Sequence, residues 1–183
     1  MTAKPATLLA VDVHYSSDEA GESACVAGIV FHNWDDDKPA KTCISHISNV
    51  ANYVPGEFYK RELPCILQLL AEHDLQPDCI IIDGYVYLDG TSKPGLGCYL
   101  HEALAGKVSI IGVAKSSFSA IPASFGICRG ESIKPLYITS LGMDLTTAQA
   151  SIATMHGEYR LPTLLKQVDQ LCREAGDKPA SHA

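Results

Sequence analysis

Several absences narrow the class of this chain before any motif is read. No apolar run approaches the roughly 20 residues a helix needs to cross a bilayer, so no membrane span is expected. The apolar stretch of the opening MTAKPATLLAVDV contains an aspartate and is followed by no small-residue cleavage site, unlike a secretory signal. The seven cysteines are odd in number and form no CxxC pair. That pattern excludes a disulfide framework and a zinc knuckle, and implies reduced thiols in a cytoplasmic protein. His14, His32, His46, His73, His101 and His156 show no metal-ligand spacing, and GLG at 95–97 is too sparse for a phosphate loop. Basic charge is also scarce. With 14 Lys and Arg against 21 Asp and Glu, the net charge is −7, which argues against a grip on nucleic acid by bulk electrostatics. An acidic nuclease remains compatible, because a metal site requires carboxylates.

No repeat, low-complexity segment or linker interrupts the 183 residues, a length that suits one core. One domain over 1–176 is expected, with 177–183 as a frayed tail. The first half reads as strands: LLAVDVHY, ACVAGIVF and KTCISHIS, joined by the polar SSDEAGES and NWDDDKPA, suggest an antiparallel meander. In LPCILQLLAEH, Leu63, Ile66, Leu67 and Leu70 recur at helical spacing, with Pro64 tolerated if it stands in the first turn. PDCIIIDG and VSIIGVA read as buried strands, and GLGCYLHEALAG between them as a short helix. This alternation implies parallel pairing with crossover helices. SFGICRG and KPLYITS offer a further strand pair. Two C-terminal helices follow, one striped by Leu145, Ala148, Ile152 and Met155, the other by Leu161, Leu164, Leu165, Val168 and Leu171. The class is α/β, a mixed sheet flanked by helices.

Acidic residues stand in apolar places. Asp12 interrupts the first strand on the face of Leu8, Ala10 and His14, and Asp83 ends CIII just before Gly84. If those strands lie side by side in parallel, the two carboxylates meet at the rim where such sheets bind ligands. They would then repel each other unless a cation such as Mg²⁺ or Mn²⁺ sat between them. Taken singly, an aspartate at a strand end more often forms a turn, Glu62 favours a helix start and Asp169 borders an apolar stripe.

The order of the motifs says more. VDVHY, NYVPGEFYKRE, IIIDG, IIGVAKS, KPLYITS and YRLPTLLKQVD, spread from Leu8 to Asp169, resemble the motif series of the endonuclease V family, nucleases that act on deaminated bases, especially inosine, in DNA or RNA. The resemblance implies a ribonuclease H-like fold. It implies Mg²⁺ held by Asp12 and Asp83 with Glu62, a catalytic set completed by Asp169, and Lys115 at a phosphate near the cut. It also implies a wedge of Tyr53, Val54 and Pro55 that enters a duplex beside the lesion, with Gly56 and Gly84 letting the backbone approach the flipped base. The cut expected is on the 3′ side of the deaminated base, leaving 3′-hydroxyl and 5′-phosphate ends.

The sequence departs from the family in four places. Only seven residues precede Leu8, where the family usually has an N-terminal helix. The histidine expected after the Asp-Gly pair is missing, with Asp89 near its place. The segment from Ser117 to Cys128 is short and without basic residues. ITSLGMD lacks a glycine-histidine pair. The metal site is kept and the substrate grip reduced. Two other readings stay open: a ribonuclease H-like nuclease with a different substrate, and a non-catalytic binding protein. Arg61, Lys93, Arg129 and Lys134 flank a phosphate track or lie on solvated faces. The oligomeric state is left open.

Overall fold

Small and β-branched residues carry the first three strands, β1 (Leu8–Asp18), β2 (Gly21–Phe31) and β3 (Lys41–Ser48), which pair antiparallel as the expected meander. The computed structural model describes residues 3–118 and 121–177, so 178–183 of the expected tail lie outside the described residues. The polar stretch after β1 is not a loop. Only Glu19 and Ala20 turn, while Ser16 pairs with Ser23 and Asp18 with Gly21. A ladder needs backbone donors and acceptors rather than apolar side chains, so this hairpin runs on past the core.

Helix α1 (Tyr59–Glu72) leads to β4 (Cys79–Asp83), α2 (Leu96–Ala103) and β5 (Ser109–Ala114), and β4 lies parallel to both β1 and β5. A two-residue β6 (Gly126–Ile127) and β7 (Leu136–Leu141) complete the sheet, β7 running antiparallel to both β5 and β6. The strand order is β3-β2-β1-β4-β5-β7-β6. Helices α3 (Leu145–Thr154) and α4 (Thr163–Gly176) end the described chain. Met155 and Leu161 fall just outside them, although Met155 is buried in the same core as α3 and α4 and Leu161 packs against it.

The period of two sorts the strands between two cores. Leu8, Ala10, Ile81 and Val113 pack beneath α3 and α4, against Ile152, Leu165 and Val168 among others. Leu9, Val11, Ile80 and Ile82 pack on the other face, against Ile66 and Leu69 of α1 and Leu100 of α2. With helices on both faces, β4 must be apolar throughout, which is why CIII reads as an unbroken run.

One expectation is corrected. Pro64 stands inside α1, not in its first turn. The helix begins earlier because FYKRE contains no breaker, and its ladder already runs from the Glu62 amide to the Phe58 carbonyl at 3.2 Å. Pro64 removes only the bond to the carbonyl of Lys60, on an exposed side of the helix. All seven cysteines are free, and no helix among the described residues is long and apolar enough to cross a membrane.

Candidate active site

Strand register brings the first two acids together. Val11 lies beside Ile82 in the parallel β1–β4 pair, so Asp12 and Asp83 are the next two neighbours beyond it. Asp12 continues the alternation of Leu8 and Ala10, and Asp83 that of Cys79 and Ile81, which places both on the α4 face. Asp83 pairs with Val113 of β5, and Lys115 follows two residues later on the same face. Its Nζ donates to Asp83 Oδ2 at 3.3 Å. The two helical acids approach this rim from opposite sides, Glu62 from α1 and Asp169 from α4. A shallow hollow, open to solvent, is lined by Asp12, Asp83, Lys115 and Leu165. A second is lined by Asp12, Asp83, Glu62 and Ile66.

Asp12, Glu62 and Asp169 are half-buried, and Asp83 is exposed. Burial, then the charge of Asp83, pushes the Asp12 carboxyl up to about 7, although the Val13 amide, 2.9 Å away, acts in the opposite sense. Burial, then Asp12 and Asp83, pushes Glu62 up to about 8. Asp169 behaves differently. Burial alone would raise it, but the hydrogen bond from Arg173 Nε at 2.9 Å and one from the Asp12 carboxyl outweigh burial and hold it below its ordinary value. Asp12 and Asp169, close together, are thus shifted in opposite directions. A divalent cation competes with protons for such oxygens, and carboxylates crowded in this way are a donor set that fits one.

Oxygens of Asp12 and Asp169 lie with the Cys172 sulfur within 4.8 Å of one another, a grouping that could hold a metal ion. The Cys172 thiol is pushed up to about 12 by burial, Asp12 and Asp169, and donates to the Asp169 carbonyl at 3.1 Å. It is neutral and soft, so a hard cation would be held by the oxygens instead.

The Tyr53–Val54–Pro55–Gly56 loop stands ahead of α1 and does not line either hollow. Tyr53 is 49% and Val54 45% exposed, and with Phe58 they leave apolar surface open to solvent ahead of α1. The turn closes with the Glu57 amide on the Val54 carbonyl at 3.0 Å, and Gly56 supplies a φ of +82°. The Tyr53 ring meets Phe58 edge-on at 5.1 Å, and the Arg61 guanidinium lies 5.9 Å from it and 4.1 Å from the Tyr15 ring. Gly84, at φ +138° just after Asp83, has no neighbour within 4 Å of where a Cβ would stand, so the backbone at this edge is open.

Several expectations change. Arg129 is neither on a phosphate track nor solvated: it is 6% exposed and grips the carbonyls of Met155, Gly157, Tyr159 and Arg160. Arg61 is packed on Tyr15 and paired with Glu22 at 3.2 Å. Asp89, near the place of the missing histidine, accepts from the amides of Thr91, Ser92 and Lys93 and so holds a turn. Cys172 and Arg173 escaped notice in the sequence. Their positions, three and four residues after Asp169, put them on its helix face, a spacing that was there to be read. Arg160 lies in the YRLPTLLKQVD motif, where only its last residue, Asp169, was given a role.

The Endonuclease V family model matches residues 1–129, a span that includes Asp12, Glu62, Asp83 and Lys115. The Endonuclease V of Nocardia farcinica is 29% identical over 194 residues, covering 93% of this chain and 81% of that protein. That of Nostoc punctiforme is 30% identical over 182 residues, covering 88% and 79%. Among solved structures, Streptomyces avermitilis Endonuclease V superposes with a TM-score of 0.74 at 23% identity over 96% of this chain and 86% of that one. Ciona intestinalis Endonuclease V, in complex with a 24mer DNA containing an inosine followed by a ribo-adenosine, gives 0.74 at 18% identity over 95% and 87%. The fold is ribonuclease H-like.

Proposed function

The chain belongs to the endonuclease V family, and from that premise we propose that it is a metal-dependent endonuclease cutting on the 3′ side of a deaminated base, inosine, in DNA or RNA. The observation that carries this reading is the meeting of Asp12, Asp83, Glu62 and Asp169 at one rim of the sheet, with Lys115 beside them. Asp12 and Asp83, with Glu62, would hold Mg²⁺, or Mn²⁺ in its place, and Asp169 would bond to water around it. When bound, the ion activates water and offsets charge on the phosphoryl and leaving oxygens. The chain's own contribution is placement. Lys115 adds positive charge where the phosphate sits, and Asp83 holds its amine toward that point. Asp12 and Glu62 must release their protons for the ion to enter. The exposed Tyr53 offers a ring face on which a base can stack, stiffened by Pro55, and Gly56 and Gly84 leave the backbone open to a base edge. The complex of the Ciona protein with inosine-containing DNA supports the choice of substrate.

The test is incubation of purified protein with inosine-containing and matched adenosine-containing oligonucleotides, with Mg²⁺ and with EDTA. Cleavage of the inosine strand alone, in Mg²⁺ alone, is expected. Asp83→Asn is expected to abolish it while leaving the circular dichroism spectrum and thermal midpoint of a folded protein. Cutting that persists in EDTA, or that ignores the base, overturns the proposal.

A further inference from the structure

Lys115 reaches Asp83 from a backbone held on two sides. From one, the Tyr85 hydroxyl donates to the Ser116 carbonyl at 2.5 Å and accepts from the Phe118 amide at 3.1 Å. From the other, the Arg160 guanidinium donates to the carbonyl of Lys115 itself. The same nitrogen reaches the Pro135 carbonyl at 2.8 Å, and Nε the Lys134 carbonyl at 3.0 Å. Among the described residues Arg160 has no carboxylate partner; its bonds are to backbone. A planar fork of fixed donors suits three carbonyls from two segments, and a lysine ammonium does not.

Arg160 is aimed in turn by Arg129. That buried side chain donates to Met155 at 2.6 Å, Gly157 at 3.1 Å, Tyr159 at 2.6 Å and Arg160 at 3.3 Å, all at carbonyl oxygens. The loop between α3 and α4 is therefore wrapped around one guanidinium, with no strand or helix of its own to shape it. Its next residue, Leu161, lines the hollow that contains Asp12, Asp83 and Lys115.

We propose that Arg160 is a positioning residue for Lys115: Arg129 shapes the loop, the loop aims Arg160, and Arg160 fixes the carbonyl of the residue whose amine stands beside Asp83. The inference rests on the reading of Lys115 as the phosphate-facing cation. The hydrogen bonds of both arginines go to carbonyls, so neither neutralises a carboxylate; the buried Arg129 Nε has no partner, and Arg160 keeps its charge at the edge of the site. Displacing Lys115 by a fraction of an ångström would cost transition-state contact more than ground-state binding.

The experiment is a double-mutant cycle on cleavage of the inosine strand, with Arg160→Gln, Lys115→Met and the double variant. Arg160→Gln is expected to lower kcat by about 30- to 100-fold, the scale of a misplaced catalytic group. Its Kd for the uncut strand in EDTA should change by less than about threefold. The double variant should be no slower than Lys115→Met within about twofold, because Arg160 acts through the lysine. Arg160→Lys, which keeps the charge without the fork, should recover little of the rate, and it replaces the glutamine variant if that one does not fold. Losses that multiply in the double variant, or a weakened Kd with kcat intact, overturn the proposal. Amide exchange separates it from the functional reading. If the native protein cuts no inosine strand, that reading fails, and the positioning role is still decided by the amide of Phe118, which is bonded to Tyr85. It should exchange at least about tenfold faster in Arg160→Gln while the amides of β1 and α4 do not change. Unchanged exchange there overturns it as well.

Discussion

Asp12 and Glu62 bind protons at a pH where ordinary carboxylates have lost them, and this has a thermodynamic consequence. In the unfolded chain both ionise near 4; in the folded protein without metal they ionise near 7 and 8. Between those limits the folded state holds protons that the unfolded state has released, so stability falls as pH rises through the window. Asp169, held low, acts in the opposite sense, and its contribution is lost only in acid. The metal-free protein should therefore have a thermal midpoint lower at pH 8.5 than at pH 5.5 by about 5 °C or more, a few kcal/mol for a chain of this size. Mg²⁺ should restore it at the higher pH and do little at the lower. Differential scanning calorimetry in EDTA and in Mg²⁺ checks both halves, and a midpoint that rises with pH in EDTA would count against crowding of the acids. Asp12 and Asp83 could be read from the sequence because an aspartate in a run of valines or isoleucines stands out whatever surrounds it. The roles of Arg129 and Asp89 could not. What decides them is which backbone atoms lie near, and for Arg129 those atoms are 26 to 31 residues away in the chain.

At the level of elements, the exposed loop and the acid of α1 form a continuous piece of structure. The helix starts at Tyr59, so the turn at Pro55 and Gly56 is separated from Glu62 by less than two helical turns. Leu63, Ile66 and Leu70 gave the helix away by their period, whereas its true beginning was hidden in EFYKRE, whose residues are compatible with loop or helix. The consequence is mechanical. A base stacked on Tyr53, as proposed, would be held at a set distance from the rim, because the ring is fixed by Phe58 and Arg61. Tyr53→Ala should reduce cleavage of an inosine in duplex DNA by about tenfold or more relative to an inosine in a single strand, the value of one lost stacking contact. A competition assay with both substrates in one tube measures the ratio directly. Equal loss on both would remove the loop from the handling of duplexes.

For the molecule as a whole, the order of its elements was legible because each strand and helix carried its own period, and two parallel pairings followed from the alternation of βα units. The antiparallel placement of β7 was not, since nothing local distinguishes a strand that turns back from one that crosses over. Charge is the other whole-molecule property, and it sets a limit on binding. A chain of net charge −7 repels a polyanion at long range, so attraction must be local. Lys93, Lys115 and Lys134 gather around the segment after β5: Arg160 ties the carbonyls of Lys115 and Lys134 together, and Lys93 lies over the Phe118 ring at 5.8 Å. Three such groups can displace few counterions. The logarithm of the binding constant should therefore fall with the logarithm of salt at a slope of only about −2 to −4, measured by fluorescence anisotropy with a labelled oligonucleotide. At constant ionic strength, Ca²⁺ should tighten binding, because the carboxylates at the rim otherwise face the phosphate with like charge. A slope steeper than about −6 would require a basic track along the surface, and with such a track the acids at the rim would no longer govern how the strand is held.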